Sequence, residues 1–350
     1  MVDQCSINAG ITAPTTHTPI RECHRELDAN SCDSGFSMRK KIGPIVGWAV
    51  TLAILLYLFR TVHLSEIRAA LRSAYWWTVP ANALLIVAVY LADSFAIKKT
   101  FGWFVATLSY REVLIVRGAT YLLALVNYTV GQGAIVYFVN RSRGVPVLRG
   151  TAAVLLVMGV NVLMLLVLAS IGLVVGSDVP ATLRMIIYAA YAGLAVYIIA
   201  VAIKPAWLVR RPIFDVLLNA GIGGHLRSMA VRLPHIITLI ALTWTSLAAF
   251  GIVVPFAKAL LCLPIVYFVA VLPISFQGLG TSQAMMIHFF SGYAVGGAAQ
   301  GAAKVLTGSL VSQGIAFVIQ FSLGLVCMRS QLGRTLSRGQ QATPTGLEGE

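Results

Sequence analysis

Two stretches of this chain bring helix-breaking residues and hydrogen-bonding side chains together in otherwise apolar surroundings. Asn127-Tyr-Thr-Val-Gly-Gln-Gly133 interrupts an aliphatic run at 113–139, and Pro273-Ile-Ser-Phe-Gln-Gly-Leu-Gly280 interrupts one at 263–290. Gly131, Gly133, Pro273, Gly278 and Gly280 are the residue types that unwind or bend a helix. Asn127, Thr129 and Gln132 in the first stretch, with Ser275, Gln277, Ser282 and Gln283 in the second, then stand beside freed backbone. Such groups can hold a phosphate or sugar headgroup, helped by the positive N-terminal ends of half-helices starting near Gly133 and Gly280. They can equally satisfy only their own frayed backbone. Two charged residues fall inside apolar runs. Asp93 is either a functional carboxylate or one half of a buried ion pair, with Lys98, Lys99 or Arg117 as partner. Arg117 either contacts a lipid phosphate or reaches back to the interface along its aliphatic stem. Arg141, Arg143 and Arg149 cluster in one loop and would attract anionic headgroups at about 1 kcal/mol each.

Other chemistries are not expected. Acid–base catalysis needs paired carboxylates or a histidine base, and the acidic residues in or beside the apolar runs are Asp93 and Glu112 alone, so no catalytic residue is assigned. A phosphate-binding Gly-x-x-x-x-Gly-Lys-[Ser/Thr] sequence is absent, so movement would be downhill, ion-coupled or driven by a partner. Cys5, Cys23 and Cys32 with His17 and His24 lack the spacing of a zinc module, so neither metal nor cofactor is expected. Cys262 and Cys327 fall at opposite ends of spans and should not pair.

The elements carrying these residues follow from composition. Of 350 residues 58% are hydrophobic and 11% charged, and mean hydropathy is +0.84. A soluble domain carries roughly 25% charged residues, so the chain reads as an all-α polytopic membrane protein. Apolar runs occur at 42–59, 79–97, 113–139, 151–176, 183–203, 235–255, 263–290 and 303–328. Six read as simple spans. In the interrupted pair the arms are short: 263–272 makes about 15 Å of helix, half the depth of the hydrocarbon core.

Charge decides how the interrupted segments run. The net charge is +14, with 26 Lys and Arg. If both segments are re-entrant, seventeen of these cations face the cytoplasm and six the opposite side. If both span, the split is eleven against twelve. Because Lys and Arg in short loops favour the cytoplasm, the expected fold is six transmembrane helices plus two opposed re-entrant helical hairpins. Both termini are then cytoplasmic and the membrane is the cell inner membrane. Superposing Gly131 and Gly133 on Gly278 and Gly280 relates the halves by 147 residues, an inverted-repeat arrangement of the kind that frames transporter sites. Residues 1–38 form a polar tail without the apolar core of a signal peptide, 39–330 the transmembrane domain and 331–350 a second polar tail. Residues 63–77 predict an interfacial helix ending in Tyr75, Trp76 and Trp77. Residues 212–234 predict a cytoplasmic loop holding two short helices about a turn at Gly221 to Gly224.

Leu272-Pro-Ile-Ser-Phe-Gln-Gly-Leu-Gly280, followed by Thr281, Ser282 and Gln283, resembles the P-I-S-x-G-G-x-G-x-R-E element of the lysylphosphatidylglycerol synthase transmembrane region, a flippase-like group. The earlier segment is similar to its counterpart there: an Asn before a Gly-containing break, the basic loop Asn140-Arg-Ser-Arg-Gly-Val145, then an apolar span. Together these cover the chain from about Gly43 to Arg329. Where that group carries carboxylates, this chain has the neutral amides Gln132 and Gln283. The resemblance implies a lipid flippase or lipid transporter acting on membrane lipids, with anionic or phosphate-bearing headgroups. It does not imply nucleic-acid binding or aminoacyl-lipid synthesis. A separate lipid-synthesising enzyme and further copies of the chain are the partners it would bring. The alternatives are a membrane-embedded glycosyl- or headgroup transferase, and a scaffold for a lipid-modifying complex.

Overall fold

Backbone amides facing lipid must be satisfied within their own segment, and helices do this without a partner strand. The computed structural model of the chain describes residues 49–341 apart from 61, 127, 176–180, 272–274 and 276–277, with side chains to 330 except at 125, 126, 128, 129, 175, 182, 183, 186, 271, 298 and 299. Among the described residues nearly everything is helical, and strand pairing is limited to one bridge between Ile252 and Ala294. The described residues all lie in one unit, Val46–Glu350.

The helices are α1 (Ala49–Arg60), α2 (Leu64–Ser73), α3 (Thr78–Phe104), α4 (Tyr110–Val126), α5 (Tyr128–Arg143) and α6 (Val147–Val175). They continue with α7 (Ala181–Ile203), α8 (Ala206–Val209), α9 (Pro212–Ala249), α10 (Phe256–Val271), α11 (Thr281–Phe290) and α12 (Ala298–Gln341). Among the described residues four are long and apolar enough to cross a membrane: α3, α6, α9 and the stretch Gln300–Ser330 of α12. The pair α1 and α2 passes the same test together, bent by 84° at the junction. In α7 the described apolar stretch, Ile187–Ile203, is shorter.

Pairing between helices follows a crosswise rule. Asn82 meets Thr245, Val89 meets His235 and Asp93 meets Arg232, so numbers rise along α3 as they fall along α9 and the two run antiparallel. On either side of this pair, α4 packs against α12 and α10 against α6. The first arm of each interrupted segment thus lies on the long helix that follows the other one. Small residues make this possible, because apolar helices in lipid gain from close backbone approach rather than from leaving water. A Cβ on Gly118 would sit 2.3 Å from Cys327 Sγ, and one on Gly172 would sit 2.4 Å from the backbone nitrogen of Leu261.

Both interrupted segments fold back on themselves. Gly131 of α5 packs on Thr120 and Ala124 of α4, and Gly278 packs on Ala270 of α10. The two turns differ, however. Gly278 and Gly280 have φ of 72° and 85°, left-handed values that a residue with a side chain seldom adopts. Gly131 and Gly133 lie inside helix α5, which is described from Tyr128. The expected break therefore does not fall at Gly131 and Gly133, and Gly131 serves instead as a point of close helix contact.

The expected loop at 212–234 also requires correction. The expected turn is present as a non-helical kink at Gly221 (φ 61°, ψ 179°) between two helical stretches, but the second stretch is not short: it runs through Pro234 into the following span. A proline removes one backbone donor without ending a packed helix in lipid. Arg232, expected in a cytoplasmic loop, is consequently buried within α9.

Candidate functional site

A carboxylate in an apolar helix is stable only when ionic or hydrogen-bonding partners replace the water it loses. Asp93, wholly buried on α3, has two. Its Oδ2 accepts from Arg117 Nε of α4 at 2.5 Å, and its Oδ1 lies 2.6 Å from Arg232 Nη1 of α9. Arg232 Nε donates to Asn161 Oδ1 of α6 at 3.3 Å, so four helices meet at this point. One turn further along α9, His235 Nδ1 lies 3.3 Å from the Val89 carbonyl. A carbonyl can only accept, so Nδ1 carries the proton in this contact.

Beside the ion pairs lies a cavity of about 60 Å³, lined by Asp93, Arg117, Gln132, Asn161 and Arg232 among apolar residues of α3, α5 and α6. Its charged lining is two guanidinium groups and one carboxylate, an excess of one positive charge. Asp93 is 1% exposed, whereas the Arg117 side chain is 15% exposed, so the carboxylate is sealed behind the cations that border the space. The volume is sufficient for a few waters, each needing roughly 10–15 Å³ on this measure, or for one small oxyanion.

A second cavity of about 230 Å³ lies among α3, α4, α9, α10, α11 and α12. Its lining carries no charge and is mixed, with Tyr90, Tyr121, Thr243, Ser246, Tyr267, Ser282, Gln283, Ser312, Gln313 and Gln320 set among apolar residues. Tyr267 OH lies 2.8 Å from Thr243 Oγ1, and Ser246 Oγ 3.1 Å from Ser312 Oγ. Tyr121 connects the two spaces. The Arg117 guanidinium stacks 5.0 Å from its ring centroid, and the Tyr90 ring lies 5.7 Å away on its other contact. Arg117 and Tyr121 are four residues apart on α4 and so occupy one helix face.

Of the residues expected from sequence to bind substrate, Asp93, Arg117 and Gln132 come together in the charged cavity. Ser282 and Gln283 reach the uncharged one. Most of the second segment satisfies its own turn. Gln283 Oε1 accepts from Gly280 N at 2.7 Å, Ser282 Oγ donates to Gly278 O at 2.7 Å, and Ser275 Oγ lies 2.8 Å from Thr281 Oγ1. Asn127, Pro273 and Gln277 lie outside the described residues, and Thr129 is described by its backbone alone, within α5. In the basic loop, Arg143 Nη2 contacts both oxygens of Glu112 at 3.0 Å and Arg149 Nη2 donates to Phe104 O at 3.4 Å, pinning that loop to the α3–α4 turn. Arg141 is exposed.

Arg232 and Asn161 are the site residues that sequence reasoning missed. Their signal was present: Asn161 is the one amide within the long aliphatic run of α6, and a buried Asp93 calls for compensating charge. No family model matches this chain, and no curated protein or solved structure is significantly similar to it.

Proposed function

We propose that the protein is a lipid flippase or lipid transporter that moves a lipid with an anionic, phosphate-bearing headgroup across the inner membrane. The observation carrying this reading is the surplus cation at Asp93, Arg117 and Arg232, bordering a cavity of oxyanion size. A buried ion pair by itself contributes little net stability, so two guanidinium groups converging on one carboxylate beside a cavity fit an anion-binding role better than a purely structural one. Gln132 and Asn161 add amide groups suited to phosphate or glycerol oxygens.

The topology proposed with it has both termini in the cytoplasm and two hairpins entering from opposite faces. Helix length supports this. The arms α4, α5, α10 and α11 have 17, 16, 16 and 10 residues, or about 15–25 Å, against a hydrocarbon core of roughly 30 Å. The charged cavity then faces the cytoplasmic half and the uncharged one the outer half, and a headgroup passing between them would cross the Tyr121 and Tyr90 rings. A transferase is less well supported, because a carboxylate held by two guanidinium groups is a poor general base.

Reconstituted protein is expected to move fluorescent phosphatidylglycerol faster than phosphatidylcholine, read by quenching of outer-leaflet fluorescence. Gln132→Ala is expected to slow the anionic lipid. Equal rates for the two lipids would remove the cation pair from the mechanism.

A further inference from the structure

A headgroup site deep in the protein raises the question of where the acyl chains lie. Among the described residues an apolar groove of about 410 Å³ lies between α6, α7, α9 and α10. Tyr197, at one end, is its only hydroxyl-bearing lining residue, and that hydroxyl lies 2.6 Å from His225 Nε2. The groove runs from Gly159 to Ala169 along α6 and from Ile187 to Tyr197 along α7, a length of about 15 Å, half the hydrocarbon core and so the depth of one leaflet. Val162 borders both this groove and the charged cavity, and its neighbour Asn161 holds Arg232. The apolar slot therefore adjoins the guanidinium groups across one turn of α6.

Two glycines keep the slot open. A Cβ added at Gly159 of α6 or at Gly193 of α7 would meet nothing within 4 Å, unlike Gly172 further along α6. Glycine in a helix interior costs stability relative to alanine, and here neither close packing nor backbone conformation requires it.

We infer that this groove seats one acyl chain of the anionic lipid whose headgroup occupies the cavity at Arg117 and Arg232, so that substrate enters sideways from the bilayer between α7 and α10. The occupant is a lipid because the groove is apolar, one leaflet deep and shares Val162 with a cationic pocket, which matches an anionic amphiphile end to end. The inference rests on the headgroup reading above for its polar end.

The test uses full-length protein in vesicles containing phosphatidylglycerol with a photoactivatable diazirine in one acyl chain, or the matching phosphatidylcholine, with adducts mapped by peptide mass spectrometry. Adducts are expected on the groove faces of α6, α7 and α10, with the anionic lipid favoured by about fivefold, the factor one cation supplies at an anionic headgroup. Gly159→Leu with Gly193→Leu should fill the slot and remove these adducts. Arg232→Gln should keep the adducts and erase the preference for the anionic lipid. Equal labelling by both lipids, labelling unchanged in the double glycine variant, or crosslinks from the groove to a second copy of the chain would each overturn the inference. Translocation with no groove labelling sinks the groove alone. Charge-dependent groove labelling in protein that translocates nothing sinks the transport reading and leaves the groove.

Discussion

Asp93 uses one oxygen for Arg117 and the other for Arg232, so removing each member has a different consequence. Asp93→Asn leaves two buried guanidinium groups facing each other without a counter-charge, a change that costs about 3–5 kcal/mol. Arg232→Gln leaves a neutral Asp–Arg pair and should cost much less. Thermal unfolding followed by size exclusion is expected to rank Asp93→Asn as least stable, with Asp93→Asn plus Arg117→Gln recovering part of the loss. Such recovery is the non-additivity of residues that share a partner. An Asp93→Asn protein as stable as the parent would mean the charges are solvated. Asp93 and Arg117 were legible in the sequence because a charge in an aliphatic run stands out. Arg232 was not, because Pro234 beside it reads as the end of a helix, and the lipid environment lets α9 continue through it.

At the scale of elements, glycines that look alike in sequence do different things. Gly172 lets α6 touch the backbone of α10, and a methyl group there would fall 2.4 Å from Leu261 N and 2.6 Å from its Cα. Gly172→Ala should therefore destabilise by about 1–3 kcal/mol, since backbone must move to admit it. Gly159→Ala on the same helix meets open space and should be neutral or stabilising by up to about 1 kcal/mol. Melting temperatures of the two variants, measured side by side, check this contrast, and similar values would contradict it. The interrupted segments show the same limit of sequence reading. Pro273-to-Gly280 was legible as a break, and the structure gives Gly278 and Gly280 left-handed backbone there. Gly131 and Gly133 were read the same way, yet they are helical, because whether a glycine breaks a helix or brings two together depends on the neighbour it meets.

Across the whole molecule, the crosswise packing of α4 on α12 and α10 on α6 ties two similarly ordered halves together around the α3–α9 pair. Sequence alone had shown the two interrupted runs and their spacing. Which helix each arm lies against was hidden, because apolar faces in lipid carry no periodic pattern of polar residues to reveal it. Burial of Arg232 removes one cation from the cytoplasmic count and leaves the bias in place. The proposed topology puts Arg141 in the cytoplasm and Arg184 outside, whereas spanning segments would reverse both. In protein lacking its native cysteines, Arg141→Cys should react with a membrane-impermeant maleimide from the cytoplasmic face only, and Arg184→Cys, also an exposed position, from the outer face only. The reverse pattern would overturn the hairpins. The central claim is that the surplus cation selects the lipid. It is tested most directly by the ratio of phosphatidylglycerol to phosphatidylcholine translocation in Arg232→Gln vesicles compared with the parent. A fall by about fivefold or more, with the zwitterionic rate unchanged, is expected; an unaltered ratio in folded Arg232→Gln protein would contradict the account.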